Sequence, residues 1–219
     1  MGRIMPYYER RIKVMFLSHP HADHINGLLG VIGRYEVGSI VMSGVKYQYA
    51  GYDKFYRLAA ERGVPIIFVD GSFDLRLGKI GFDLIYPEQS LQGISFDNVN
   101  NSSVVFRLIY GVNRVFFSGD LEEVKEAELV RQAGATVHGK AALHLRADIL
   151  KAGHHGSKTS NSEDFVRLIA PDIVVISCGI DNKFRHPFAG TLERFQRLGA
   201  AVHRTDLEGD VALSLDGKK

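Results

Sequence analysis

The sequence predicts an α/β fold, a sandwich of mixed sheets with helices on the outside. Three observations predict it. Short apolar runs alternate with segments of helical spacing, several neighbouring runs are joined by tight turns as in hairpins, and polar clusters recur directly after apolar runs. The 219 residues suffice for one domain with a sizeable core, and 45% hydrophobic with 24% charged residues is an ordinary globular composition.

The first eleven residues are basic, with Arg3, Arg10 and Arg11. A strand is expected over about 12–17, then a polar loop, then a helix from Ile25 to Arg34. Val37–Met42 reads as a second strand, and Tyr47–Arg62 as a helix with Phe55, Leu58 and Ala59 on one face, ended by Gly63. Pro65–Val69 is a short buried strand. Phe73–Tyr86 alternates like a hairpin turning at Gly78-Lys79. Ser90–Ser103 is a polar loop containing Asn98, Asn100 and Asn101. Val104–Tyr110 and Arg114–Phe117 are strands around Gly111-Val112-Asn113, followed by a helix over Glu122–Gln132. Residues 134–146 are unpatterned, as a surface insertion would be. Strands at Ala147–Lys151, Ile173–Ile176, Val202–Arg204 and Val211–Leu215, with helices at Ser162–Ile169 and Leu192–Leu198, complete the chain. Cys178, after Ile173–Ile176, reads as a buried thiol rather than a ligand, and a single cysteine excludes an intrachain disulfide. No apolar run reaches the ~20 residues needed to span a bilayer, and the N-terminus has no signal-peptide core, so the chain reads as soluble. A net charge of +2 neither requires nor excludes nucleic acid.

Chemistry concentrates in Ser18-His19-Pro20-His21-Ala22-Asp23-His24. Imidazole and carboxylate are ligands for zinc and similar divalent ions. On a tight loop His19 and His21 can face one side and Asp23 and His24 another, which would serve two adjacent ions. Gly119-Asp120 and His154-His155 hold the same position, just after an apolar strand, and strand ends at one edge of a sheet meet in space. Asp120 alone reads more readily as a helix N-cap; beside the first cluster a bridging carboxylate is the stronger reading. His186, in Phe184-Arg185-His186-Pro187, is either a ligand, a proton donor or a loop residue. His138, His144 and His203 have no clustered partners and read as structural or surface residues.

An H-x-H-x-D-H motif after a strand, a later Gly-Asp and a later His resemble the metallo-β-lactamase superfamily. Leu17–Leu28, Asn100–Val105, Phe117–Glu122, Ala147–Lys158 and Arg204–Asp210 are similar to its ComEC-like branch, from about residue 4 to about 215. The resemblance implies an αββα sandwich with mixed sheets over the single domain 1–219. The superfamily's opening strand pair, with its D-x-G-x-G-D-like and I-D-x-G turns, does not occur, so an N-terminally truncated version of the fold is expected. It also implies DNA as partner, a membrane channel domain in a longer protein, and a membrane-associated location with this domain outside the cytoplasm.

Residues and resemblance together imply a two-metal phosphodiesterase that cuts DNA during uptake with a metal-activated water. His19 and His21 would hold one ion, Asp23 and His24 the other; Asp120 would bridge and His154 complete the second site. No histidine lies between residues 25 and 137 to give the first ion a third nitrogen, so Mn²⁺ can compete with Zn²⁺ there. Asp23 would orient the water, and His155 or His186 would protonate the leaving oxygen. Asn101, Ser102, Ser157 and Lys158 would bind phosphate oxygens, with ordinary loop polarity as their other reading. The rival functions are another hydrolase of this superfamily (lactonase, thioesterase or β-lactamase) and a degenerate, non-catalytic binding domain.

Overall fold

The structure is a computed structural model that describes residues 5–137, 140–141 and 144–218. Met15–Leu17 is not continuous with the residues before it. Arg11–Ile12 (β1) pairs in parallel with Glu36–Val37 (β3), while Met15–Leu17 (β2) starts a separate sheet. After β2 comes helix α1 (Ala22–Arg34), then Ile40–Met42 (β4), helix α2 (Ala50–Glu61) and Ile66–Phe68 (β5). The strands β2, β4 and β5 form a three-stranded parallel sheet in the order β2-β4-β5. Parallel neighbours need crossovers, and α1 and α2 are those crossovers.

Side-chain alternation decides what each face of this small sheet buries. Met15, Leu17, Ile40 and Met42 pack against Ile25 and Ile32 of α1 and Phe55 and Ala59 of α2. Phe16 and Val41 point the other way, into a layer shared with the second sheet.

That sheet has seven strands. Asp74–Leu77 (β6), Ile80–Tyr86 (β7), Val105–Tyr110 (β8) and Asn113–Phe117 (β9) follow one another antiparallel. Helix α3 (Glu123–Gly134) then leads to a ribbon of Thr136–Val137 (β10) and Lys140–Ala141 (β11), a two-stranded sheet of its own in the stretch expected to be unpatterned. Ile149–Lys151 (β12) returns parallel to β9. Helix α4 (Glu163–Ile169), Ile173–Ile176 (β13), helix α5 (Ala189–Arg197) and Ala201–Arg204 (β14) extend the parallel half in the order β14-β13-β12-β9. A single helical turn, α6 (Thr205–Glu208), follows β14.

Between the sheets Phe16 stacks on Phe106, with ring centroids 4.4 Å apart, and Phe106 stacks on Phe117 at 4.8 Å. On the far side of the large sheet Phe116, Leu150, Val174 and Ile176 pack against Leu129 of α3, Phe165 and Ile169 of α4 and Phe195 of α5. Each fully buried phenylalanine here contributes about 2–3 kcal/mol by leaving water. The layers are therefore helices, three-stranded sheet, seven-stranded sheet, helices: the expected αββα sandwich.

Three expectations are corrected. The strand over Val211–Leu215 does not form. Its apolar residues face no neighbouring strand, Leu213 is exposed, and the tail ends on the β8–β9 turn instead, where the Val112 N–H donates to the Gly217 carbonyl at 3.1 Å. Cys178 is only half-buried, with its thiol donating to Asp206 at 3.2 Å and burial pushing its pKa up to about 11. The helix expected at Leu192–Leu198 starts three residues earlier, at Ala189. His138 lies outside the described residues. His144 is exposed, and His203 pairs with Glu208 at 2.9 Å on the surface. Among the described residues no helix is long and apolar enough to cross a membrane.

Candidate metal centre

The C-terminal ends of β2, β9, β12 and β13 open on one edge of the sandwich, so the loops that follow them converge. From β2 come His19 and His21, and from the first turn of α1 come Asp23 and His24. From β9 comes Asp120. Gly119 before it has φ +55°, and a Cβ there would come within 2.7 Å of Ser103, so only glycine lets the turn close against this serine. From β12 come His154 and His155, at φ 48° and 54°. Two successive left-handed non-glycine residues are sparsely populated and need support from their surroundings.

The support is visible. Asn161, fully buried, accepts the Gly153 N–H at 2.8 Å and donates back to the Gly153 carbonyl at 2.9 Å. Buried Glu126 of α3 in turn accepts the N–H groups of Asn161 and Ser162 at 2.6 and 2.7 Å. Burial raises the Glu126 carboxyl to about 7. The His154 N–H donates to the Gly119 carbonyl at 3.1 Å and ties the two loops together.

Three imidazoles have Nδ1 hydrogen-bonded, which aims Nε2 at the centre, and a fourth has a carboxylate facing Nδ1 without a hydrogen bond. His19 Nδ1 meets Ser18 Oγ at 3.2 Å and Ser103 Oγ at 3.3 Å, and His24 Nδ1 meets Ser18 Oγ at 3.2 Å. His155 Nδ1 donates to the Ser177 carbonyl at 2.6 Å. His154 Nδ1 faces Glu122 Oε1 at 3.3 Å. Glu122 is itself held by the amides of Asn98 and Asn100 at 2.8 and 2.9 Å, and its N–H donates to Asn101 Oδ1 at 3.0 Å.

The atoms so aimed are spaced as ligands are. Two donors about 2.0–2.1 Å from a tetrahedral ion lie about 3.3 Å apart. Here His24 Nε2 is 3.2 Å and His155 Nε2 3.5 Å from Asp120 Oδ2, and His155 Nε2 is 3.3 Å from Asp23 Oδ2. Asp23, His24, Asp120 and His155 each offer an atom within 4.8 Å of the others. His19 Nε2 and His21 Nδ1 lie 3.0 Å apart; Asp120 Oδ2 is 3.9 Å from His19 Nε2 and 4.0 Å from His154 Nε2. Nε2 of His24 and His155 and Oδ1 of Asp120 are buried without a hydrogen-bond partner. Orphaned polar atoms converging at ligand spacing fit a divalent cation.

The electrostatics agree. Burial, then the neighbouring His24, holds His19 well below the usual imidazole range, and burial lowers His21. The facing His155 holds Asp23 far below the usual carboxylate range. Burial alone would raise Asp120, but His24 and the Lys151 ammonium, 3.8 Å away, outweigh it and keep the carboxyl ionised. Burial works against protonation of His155, and the facing Asp23 reverses this. His186 is lowered by burial and by His154, whose ring centroid is 5.5 Å from its own.

The structure thus gathers His19, His21, Asp23, His24, Asp120, His154 and His155, with His186 beside them. It places His155, rather than His154, in the tightest group with Asp23 and His24. Asp120 makes no cap to α3, whose N-cap is Glu122. Of the expected phosphate contacts, Asn101 is bonded to Glu122, Ser102 is fully buried and donates to the Val99 carbonyl at 2.7 Å, and buried Ser157 bonds Thr159 at 3.1 Å. These side chains serve the framework because both loops must be closed tightly to aim the histidines. Lys158 is exposed. Sequence reasoning missed Glu122, Lys151 and the serines Ser18, Ser103 and Ser177. The asparagines around Asn98 were a signal for Glu122, since clustered amides that face inward need an acceptor.

An αββα sandwich with an imidazole–carboxylate cluster at its strand ends defines a class, the metal-dependent hydrolase fold that binds divalent cations. This chain belongs to the metallo-beta-lactamase superfamily, whose family model matches residues 9–180. It is similar to ComEC-like competence proteins along most of its length. It is 29% identical to ComE operon protein 3 of Bacillus subtilis (strain 168) over 92% of this chain and 24% of that protein. It is 30% identical to Competence protein ComA of Neisseria gonorrhoeae over 94% of this chain and 26% of that one. The chain spans about a quarter of the length of these relatives. Among solved structures, a CmlA beta-hydroxylase mutant superposes with a TM-score of 0.56 at 14% identity, covering 89% of this chain and 43% of that one. A putative metal-dependent hydrolase from Parabacteroides distasonis superposes at 0.52 and 13% identity, covering 91% and 78%. Both are likenesses of fold.

Proposed function

We propose that this chain is a two-metal phosphodiesterase that cuts DNA. The observation that carries the reading is that seven imidazole and carboxylate side chains gather from three strand ends, with Nε2 of His19, His24, His154 and His155 lying 3.2–4.0 Å from Asp120 Oδ2. The competence proteins to which the chain is similar favour DNA as the substrate.

Asp23, His24, Asp120 and His155 would hold one ion. His19, His21, Asp120 and His154 would hold the other, so His154 supplies the third nitrogen that the Asn98–Ser102 loop lacks. Zn²⁺ suits a set rich in imidazole, with Mn²⁺ as competitor. Once bound, such ions polarise a phosphoryl oxygen and lower the pKa of a water to near neutrality.

The chain's own groups do the rest. Ser18, Ser103, Ser177 and Glu122 keep the imidazoles turned inward. Lys151 balances the Asp120 carboxylate from behind. Asp23, the most exposed acid of the cluster, is placed to orient the attacking water. His155 being a ligand here, His186 is left for proton transfer to the leaving oxygen. Lys158, exposed on the same loop, offers its ammonium to the backbone of a bound strand.

The test is to load the protein with Zn²⁺ or Mn²⁺, measure bound metal, and compare labelled DNA with lactam, lactone and thioester substrates. Cleavage of DNA that disappears in His21→Ala/Asp23→Ala is the expected result. Cleavage unchanged in that variant overturns the assignment. Turnover of an ester or lactam but not DNA moves the chain to another hydrolase of the superfamily, and no bound metal at micromolar zinc leaves a binding module.

A further inference from the structure

Beside the cluster a cavity of about 420 Å³ opens between Asp23 and the loop that follows β13. Its floor is catalytic: Asp23, His155 and His186 line it. Its outer wall is Phe184, 65% exposed, a large apolar ring left in water at the mouth of a polar site. Exposed single hydrophobes are common and need no explanation on their own. Three features set this one apart.

The ring is aligned with the site. Phe184 lies within 18° of parallel to His186, with centroids 5.7 Å apart, and His186 lies within 19° of His155 at 6.5 Å. The three rings form a staircase from solvent to the cluster. The loop is also built to hold that alignment. Asn182 donates to the Gly179 and His186 carbonyls at 3.0 and 2.7 Å, and it accepts the His186 N–H at 2.8 Å. The Phe188 N–H donates to the Gly156 carbonyl at 2.9 Å, which anchors the far end to the histidine turn. Finally, the ring is flanked by positive charge. Lys183 Nζ sits 4.8 Å from the Phe184 centroid, and Arg185 is exposed on its other side in the chain.

An exposed, prealigned aromatic with a cation beside it and a second exposed cation next in the chain is what single-stranded nucleic acid uses, the bases stacking and the phosphates pairing with the cations. A duplex offers no free base face along its length. We propose that Phe184 is a stacking platform for a nucleobase of single-stranded DNA whose neighbouring phosphate lies at the cluster, which makes the site selective for unpaired strands. This rests on the DNA-cleaving reading, and the test separates the two.

Binding of a short fluorescein-labelled single-stranded oligonucleotide is measured by anisotropy in EDTA, so that no strand is cut, with an abasic strand of equal length as probe of the base. Phe184→Ala should weaken binding of the base-bearing strand about tenfold, leave the abasic strand unchanged, and be rescued by Phe184→Trp. Equal binding by wild type and Phe184→Ala overturns the platform, as does equal weakening on both strands. Cleavage by the metal-loaded wild type is scored separately. Binding with the expected pattern but no cleavage keeps the platform and removes the nuclease; cleavage with unchanged Phe184→Ala binding does the reverse.

Discussion

One wall of the site is the loop from Ser18 to His24, which carries four candidate ligands within six residues of a single strand-to-helix turn. The facing wall collects Asp120, His154 and His155 from the ends of two strands, β9 and β12. The first wall orients its rings with small hydroxyls close by, Ser18 and Ser103. The second orients them through backbone held in a rare conformation, supported by carboxylates of α3 and its N-terminus: half-buried Glu122 against His154, and buried Glu126 through Asn161 against Gly153. The difference is between rings steered by serine hydroxyls, one of them Ser103 from just ahead of β8, and rings steered by a backbone that keeps its shape only when α3, α4 and β12 have packed. Changes remote from the centre should therefore act on the second wall and spare the first.

The largest expected effect comes where the walls touch. Asp120 Oδ2 faces His19, His24, His154 and His155. Asp120→Asn replaces a doubly accepting carboxylate with a neutral amide; if the centre holds the two proposed ions, bound metal should fall from about two per chain to near zero. His19→Ala removes one ligand from one group, so about one ion should remain. Elemental analysis of the purified variants reads both, and equal metal content in the two would break the division into walls.

A smaller effect separates a wall from its support. Glu122→Gln leaves every ligand in place but removes the charge facing His154 Nδ1, and turns one amide donor toward the amides of Asn98 and Asn100. Partners of this kind change metal affinity by about 10–100-fold. Competition with a chelator should show one ion weakened by that factor and the other unchanged, with the melting temperature of the metal-free protein nearly constant. Loss of both ions together would mean that Glu122 organises the whole centre.

The first wall was legible because imidazole and carboxylate are dense in sequence there: His19, His21, Asp23 and His24 point to one cluster before any fold is known. The four layers were legible too, because Met15, Phe16 and Leu17, or Ile40, Val41 and Met42, sort between faces at a period of two. The division of labour between His154 and His155 was not. Adjacent histidines read alike in sequence, and only the two left-handed residues send one toward Glu122 and the other toward Asp23. Asn101 and Ser102 read as phosphate contacts or as ordinary loop polarity, and sequence could not choose between the two for a related reason. A polar loop beside a candidate metal site looks like a substrate contact until the half-buried Glu122 carboxylate, more than twenty residues away, is brought against it.

The two walls should also answer pH with opposite signs. His19 and His21 have folded pKa values below the ordinary 6.5, so near pH 6 the unfolded chain binds more protons, and their contribution to stability grows as pH rises. Glu126 goes the other way. Its folded pKa is about 7 against an ordinary 4.5. Between those values the folded chain binds the extra proton, so its contribution is fully present below 4.5 and is lost as pH rises through 7. From pH 5 to pH 7 the loss is about 2 kcal/mol. Urea denaturation of the metal-free protein mixes both signs, and Glu126→Gln isolates one. The variant cannot lose a proton, so its stability should rise relative to wild type by about 2 kcal/mol across that interval, whatever the histidines do. It should be less stable than wild type at pH 5, because an amide offers one acceptor oxygen where Asn161 and Ser162 present two N–H groups. Parallel curves for the two proteins would mean that the two N–H groups keep Glu126 ionised despite its burial, and that the second wall is as insensitive to acid as its backbone.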